Sequence, residues 1–253
     1  MMIKLFQIQL AIFFKTYRIS DILRAANAYK KKGIAVTSIF TYLLSLIFSQ
    51  RSIYMNMLMG KNSSGFTKDT VYRFLKSFHI NWLRFTSLLC ARVVSESIEK
   101  LTDASRVNVF IVDDSMFERS RSKKVELLSN IYDHAKSSYK YGFRMLTLGW
   151  SDGNTFLPVN SCLLSTENKK NRVNEAMPMD KRTAGFKRRQ LAQTKAPQVM
   201  LELLKTAKTV EIPTSHVLFD TWFCSPSSIF AVKKLGYDVV AMTKKVFENP
   251  LSL

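Results

Sequence analysis

Little in this 253-residue sequence can cross-link a chain or hold a soft metal. Its three cysteines, Cys90, Cys162 and Cys224, lie far apart and form no Cys-x-x-Cys or Cys/His cluster. So sparse and odd a set excludes a disulfide framework and fits a reducing, cytoplasmic setting. His79, His134 and His216 are equally scattered, which argues against a zinc site. Long apolar runs are missing too. IAVTSIFTYLLSLIFS (34–49) is the most membrane-like stretch, but it contains Thr and Ser. It also falls short of the roughly 20 residues a spanning helix needs, so a buried core helix is expected there. The opening MMIKLFQIQLAIFFK has no basic leader and no small-residue cleavage site, so no signal peptide is expected. Negative charge is scarce beside positive charge.

Against 19 Asp and Glu stand 38 Lys and Arg, a net charge of +19. An excess this large favours a polyanionic partner, either nucleic acid or the anionic face of a membrane, and charge alone does not choose. The 47% hydrophobic content is ordinary for a globular protein, and the length suffices for one large domain or a domain with an appendage.

Two halves differ in texture. Residues 1–103 carry apolar residues at three- and four-residue spacing and read as an all-helical N-terminal region. Residues 104–253 read differently. VNVFIVD (107–113) is an expected strand, and FRMLTLGW (143–150) and TFLPVNSCLL (155–164) flank an Asp-Gly turn at Asp152-Gly153. A helix is expected at 190–208, with Pro197 near its start or marking where its regular part begins, then a strand (215–220), a helix closed by Gly236 (225–236) and a strand (237–243). The order β-β-β-α-β-α-β is that of a ribonuclease-H-like mixed sheet, by analogy of element order. Between strand and helix, 165–190 is rich in Lys and Arg, including Lys181, Arg182, Lys187, Arg188 and Arg189. It is expected to be a surface loop, either merely solvated or touching phosphates.

Two apolar runs end in aspartate: VNVFIVDDS at Asp113-Asp114 and SHVLFDTWF at Asp220. Each alone is readily a turn-former. Brought together on neighbouring strands, two such carboxylates repel unless a cation lies between them. Magnesium takes hard oxygen ligands and leaves positions for phosphate oxygens, and a pair of such ions suits cutting or joining a phosphodiester.

The VDDS strand, the GFRMLTLGWSDGNTFLPV hairpin, the KRRQ segment and VLFDTWF together resemble the DDE transposases of bacterial insertion sequences, closest to the "insertion sequence four" type. The resemblance covers roughly residues 40–245. It implies a ribonuclease-H-like core, a two-metal Mg²⁺ site, and nicking and strand transfer on double-stranded DNA at inverted-repeat ends, with a homodimer in synapsis. Asp113 fits the first carboxylate of that pattern, with Asp114 as the alternative one register along, and Asp220 fits the second. Alternation along a strand means only one of the adjacent pair points into a site. The family's third carboxylate, a glutamate in a Y-x2-R-x3-E-x6-K pattern, has no counterpart. Glu248 is followed too soon by Pro250 for a helix to present it. The resemblance therefore implies a chain truncated before its third carboxylate, and the competing expectation is a non-catalytic DNA-binding fragment. A membrane-associated basic protein built on 34–49 is a further alternative.

In the helical half, Thr67 is expected to cap a helix over 68–78 whose apolar face is Val71, Phe74, Leu75 and Phe78. Lys68, Arg73 and Lys76 lie on its other side. With a preceding helix near 51–59 this makes a candidate helix-turn-helix, although a solvated basic face explains the same pattern. Trp82 and Phe85 are expected in the core. Lys30, Lys31 and Lys32 add candidate phosphate contacts by composition.

Overall fold

A computed structural model describes residues 2–59, 65–103, 105–133 and 136–243. His134, the start of the loop before Thr67 (60–64) and Glu248 lie outside them. The chain divides into two compact units, Met1–Lys100 with Pro178–Arg188, and Leu101–Met177 with Arg189–Leu253.

The first unit is helical: α1 (Met2–Thr16), α2 (Ile19–Ala25), α3 (Val36–Phe48), α4 (Ile53–Leu58), α5 (Lys68–Leu75) and α6 (Trp82–Val93). The 34–49 run becomes α3, which buries Val36, Ile39, Tyr42 and Leu46. No described helix is long and apolar enough to cross a membrane. Helix starts follow the short polar side chains. Ser52 accepts from the Met55 N–H at 3.1 Å and Asn81 from the Arg84 N–H at 3.1 Å, each satisfying an otherwise orphaned donor. Thr67 does occupy the N-cap of α5, but its side chain makes no capping bond. The core joins Ile19, Leu23, Ile39, Val71, Phe74 and Phe85, with Trp82 edge-on to Phe74 at 5.6 Å. Helix α5 stops at Leu75, three residues earlier than expected, and Leu75 and Phe78 are exposed. Only half of the expected apolar face is core.

The second unit contains a six-stranded sheet: β1 (Val109–Glu118), β2 (Ser129–Asp133), β3 (Ser138–Ser151), β4 (Phe156–Leu164), β5 (His216–Phe219) and β6 (Asp238–Ala241). Strand β1 is central. It runs antiparallel to β3 and parallel to β5, and β5 is parallel to β6. On the far edge of β3, β4 takes residues 144–151 and β2 takes 138–142. Leaving β2 aside, three antiparallel strands followed by two parallel ones give the expected ribonuclease-H-like mixed sheet. The remaining α-helices among the described residues are α7 (Ala184–Ala192), α8 (Ala196–Lys208) and α9 (Pro226–Lys234). Parallel strands cannot be joined by a tight turn, which is why α9 separates β5 from β6.

Register fixes the faces. Phe110, Val112, Leu146, Leu148, Trp150, Val217 and Phe219 share one face and are all buried. Helix α8 packs against β3 and β4, burying Val199, Met200, Leu203, Leu204 and Ala207. The Asn160 amide donates to the Leu203 carbonyl at 3.3 Å, and the Trp150 indole N–H donates to the Pro213 carbonyl at 2.9 Å.

Three expectations need correction. The aspartates do not end their strand, because β1 continues to Glu118, held by β3 along its whole length. The 190–208 stretch is not one helix: α7 ends at Ala192, and α8 begins at Ala196 with Pro197 in its first turn, where the regular part was expected to begin. The basic 165–190 segment is not simply a loop. It contains part of α7, and Arg172 is buried, paired with Glu175 at 3.1 Å and bonded to Gln193.

Candidate active site and basic cleft

In the parallel pairing of β1 with β5, Val112 lies opposite Phe219, so Asp113 in β1 and Asp220, the first residue after β5, directly follow a paired couple. Neighbouring strands are about 4.8 Å apart. Alternation from the buried Val112 and Phe219 sends both aspartates to the other face of the sheet, and both are exposed. The Asp113 carboxylate makes no hydrogen bond or ion pair with any described residue. Asp220 Oδ1 accepts from the Trp222 N–H at 3.0 Å, a turn-forming bond that leaves Oδ2 unused. Asp220 thus acts as a turn-former while keeping an oxygen for a ligand.

Asp114 faces the opposite way. Its carboxylate is ion-paired with the Arg144 guanidinium, which also lies 5.9 Å from the Trp222 ring centre. The register therefore brings Asp113, and not Asp114, beside Asp220. Sequence reasoning missed Arg144, which carries no sequence signal of its own, since its place near Asp114 follows from the β1–β3 register.

Two adjacent carboxylates with free oxygens suit a hard divalent ion that completes its shell with water and phosphate oxygens. Among the described residues no group of three or more His, Cys, Asp or Glu could hold a metal. The donor set fits such an ion, with two protein carboxylates. Burial pushes the Cys90 thiol up to about 12, which removes it as a nucleophile.

The candidate phosphate contacts separate into two kinds. A cleft of about 1070 Å³ within the helical unit is lined by Lys30, Lys32, Arg73, His79 and Arg182, with Asp180 as its one acidic residue. Three distant segments thus put four permanent cations around one concavity. Arg182 forks onto Asp180, with Nη2 to Oδ2 at 2.7 Å, and this hydrogen bonding holds the Asp180 carboxyl below its usual range. Lys68, Lys76, Lys181 and Lys187 are exposed, and Lys68 lies 6.0 Å from the Tyr54 ring centre. Arg188 is half-buried. Arg189 is committed elsewhere: its guanidinium clamps Glu126, Nη2 to Oε1 at 2.8 Å, within the sheet unit.

The sequence profile of one family, described as DDE superfamily endonuclease, matches residues 39–246, most of the chain and both aspartates. The chain belongs to the DDE superfamily endonucleases. No curated protein matches it. Among the solved structures that resemble the chain are two transposase complexes. One is the Drosophila P element transposase strand transfer complex, at 10% identity and a TM-score of 0.34, covering 94% of this chain and 43% of that one. The other is the piggyBac transposase synaptic complex with hairpin DNA, at 13% identity and a TM-score of 0.34, covering 95% and 43%. The chain spans less than half the length of either.

Proposed function

We propose that this DDE superfamily endonuclease is a DNA transposase of the "insertion sequence four" type, nicking and transferring strands at inverted-repeat ends. The observation that carries the proposal is the β1–β5 register that sets Asp113 beside Asp220. In this reading the two carboxylates hold Mg²⁺, which when bound supplies an activated nucleophile and stabilises the leaving oxygen. Asp113 and Asp220 would hold that ion through their free oxygens, and the Trp222 N–H orients the Asp220 carboxylate. Arg144 holds Asp114 on the opposite face, so a third like charge does not crowd the pair. The glutamate that completes the family's set has no counterpart in this sequence.

Residues 1–103 act as the DNA-binding region, with Lys68 and Arg73 on α5 and Lys76 at its C-terminal end, joined by Lys181, Arg182, Lys187 and Arg188 of the later basic segment. The cleft's concentration of cations supports this assignment. Arg189 is the weakest member of the set, being held by Glu126. Binding to double-stranded DNA should be strongly salt-dependent, since each phosphate contact releases counterions. We place the protein in the cytoplasm, as a dimer when it pairs two DNA ends.

A second reading, a non-catalytic DNA-binding protein that occupies element ends, is favoured by the lack of a metal-holding trio among the described residues. Nicking of supercoiled plasmid in Mg²⁺ separates the two. The transposase reading expects nicking that Asp113→Asn and Asp220→Asn each abolish and Asp114→Asn does not. Tight DNA binding with no nicking under any divalent ion would favour the second.

A further inference from the structure

Beyond the candidate carboxylates, β1 and β3 continue together toward the pairing of β2 with β3. Three tyrosines stand out on it: Tyr132, Tyr139 and Tyr141, 37%, 66% and 46% exposed. Register puts all three on one face. Tyr132 pairs directly with Tyr139, their rings 5.2 Å apart and edge-on, and Tyr141 lies two residues along β3. The same odd-numbered positions of β3 include Thr147, the cross-strand partner of Asp113. The tyrosines therefore share the pleat face of Asp113 and Asp220.

Cations flank this row. Arg119 donates its backbone N–H to the Tyr141 carbonyl at 2.7 Å and lays its guanidinium over Phe117, 4.5 Å from the ring centre. Arg121 and Lys123 are exposed in the turn that follows β1. Exposed rings in line with cations are the features that bind a single strand: the rings take bases, the cations take phosphates. A duplex conceals its base faces, so rings presented this way serve bases outside a stack.

We propose that the Tyr132–Tyr139–Tyr141 face is a stacking platform for unpaired DNA next to the site of cutting. The proposal rests on the reading of Asp113 and Asp220 as that site. Six residues of β3 separate Thr147 from Tyr141, a reach of about 20 Å. That is roughly six base steps at duplex spacing, and fewer along an extended strand. The platform would hold the end of a strand that has frayed or been released beside the carboxylates.

The test measures binding of the whole chain to labelled oligo-dT and to a duplex of equal length by fluorescence anisotropy, in EDTA. Without metal, the outcome is independent of whether the carboxylates work, which plasmid nicking reports separately. The double variant Tyr139→Ala, Tyr141→Ala should bind oligo-dT about tenfold or more weakly and the duplex within about twofold. Tyr139→Phe with Tyr141→Phe should match wild type, because stacking needs the ring and not the hydroxyl. Unchanged oligo-dT affinity in the alanine variant, or an equal fall for both DNAs, would overturn the platform. Altered self-association with unchanged oligo-dT affinity would make this face a protein-contact surface, and would overturn the platform too.

Discussion

Asp152 is a sensitive probe of the sheet, because one buried carboxylate closes the turn between β3 and β4. Its Oδ1 accepts from the backbone N–H groups of Thr155 at 2.6 Å and Asn154 at 3.0 Å. Its Oδ2 takes the Thr102 hydroxyl at 2.9 Å and the Arg106 guanidinium at 3.5 Å. These bonds, led by the Thr155 N–H, hold the carboxyl at about 2, against an ordinary 3.8. The folded state therefore binds its proton less readily than the unfolded chain. The associated stability is full above pH 4 and is lost as pH falls toward 2. A shift of this size corresponds to roughly 2 kcal/mol. Asp152→Asn keeps an acceptor for the two backbone donors but turns an amide toward Thr102 and Arg106. It should cost about 2 kcal/mol at pH 7. Urea unfolding of both proteins at pH 7 and pH 3 reads this directly, and the gap should shrink to roughly half at pH 3. An equal gap at both pH values would refute an electrostatic origin, and no gap at pH 7 would refute the contribution altogether.

Two further outcomes follow from geometry. Gly142 is flanked by β1 and β2, and a Cβ there would stand 2.4 Å from the Phe117 carbonyl oxygen, which is backbone and cannot swing away. Gly142→Ala should lower the urea midpoint by an amount equivalent to about 1–3 kcal/mol, and an unchanged midpoint would contradict the register. Arg73→Ala should reduce the slope of log affinity against log salt for duplex DNA by about one, as loss of a single phosphate contact does. A slope equal to wild type would remove Arg73 from the DNA surface.

The sheet was largely legible in the sequence because its central strands are apolar and its turns are chemically marked. Asp152-Gly153 marked the β3–β4 hairpin, with Gly153 at a φ of 87° that other residues resist. Ser225, Pro226 and Gly236 framed α9 in the same way. What escaped has physical reasons. DSMFE looks polar, yet it continues β1 because β3 supplies a partner for every residue, and pairing is a tertiary fact. SNIYD is too short and too mixed to show a period, so β2 was missed. The gap between Asp113 and Asp220 in sequence carries no distance, and only the parallel register makes them neighbours. Likewise, Arg189 resembles its basic neighbours until Glu126 is seen to hold it. Lys30, Arg73 and Arg182 gave no sign in sequence that they line one cleft.

The central claim is that Asp113 and Asp220 together hold a divalent ion. Mn²⁺ stands in for Mg²⁺ and is counted by electron paramagnetic resonance, with the free ion's signal falling as it binds. Wild-type protein titrated with Mn²⁺ in the presence of DNA should bind at a site that Asp113→Asn and Asp220→Asn each remove and Asp114→Asn preserves. Equal binding in all four proteins would contradict the account, and loss through Asp114→Asn alone would move the site to the other face of the sheet.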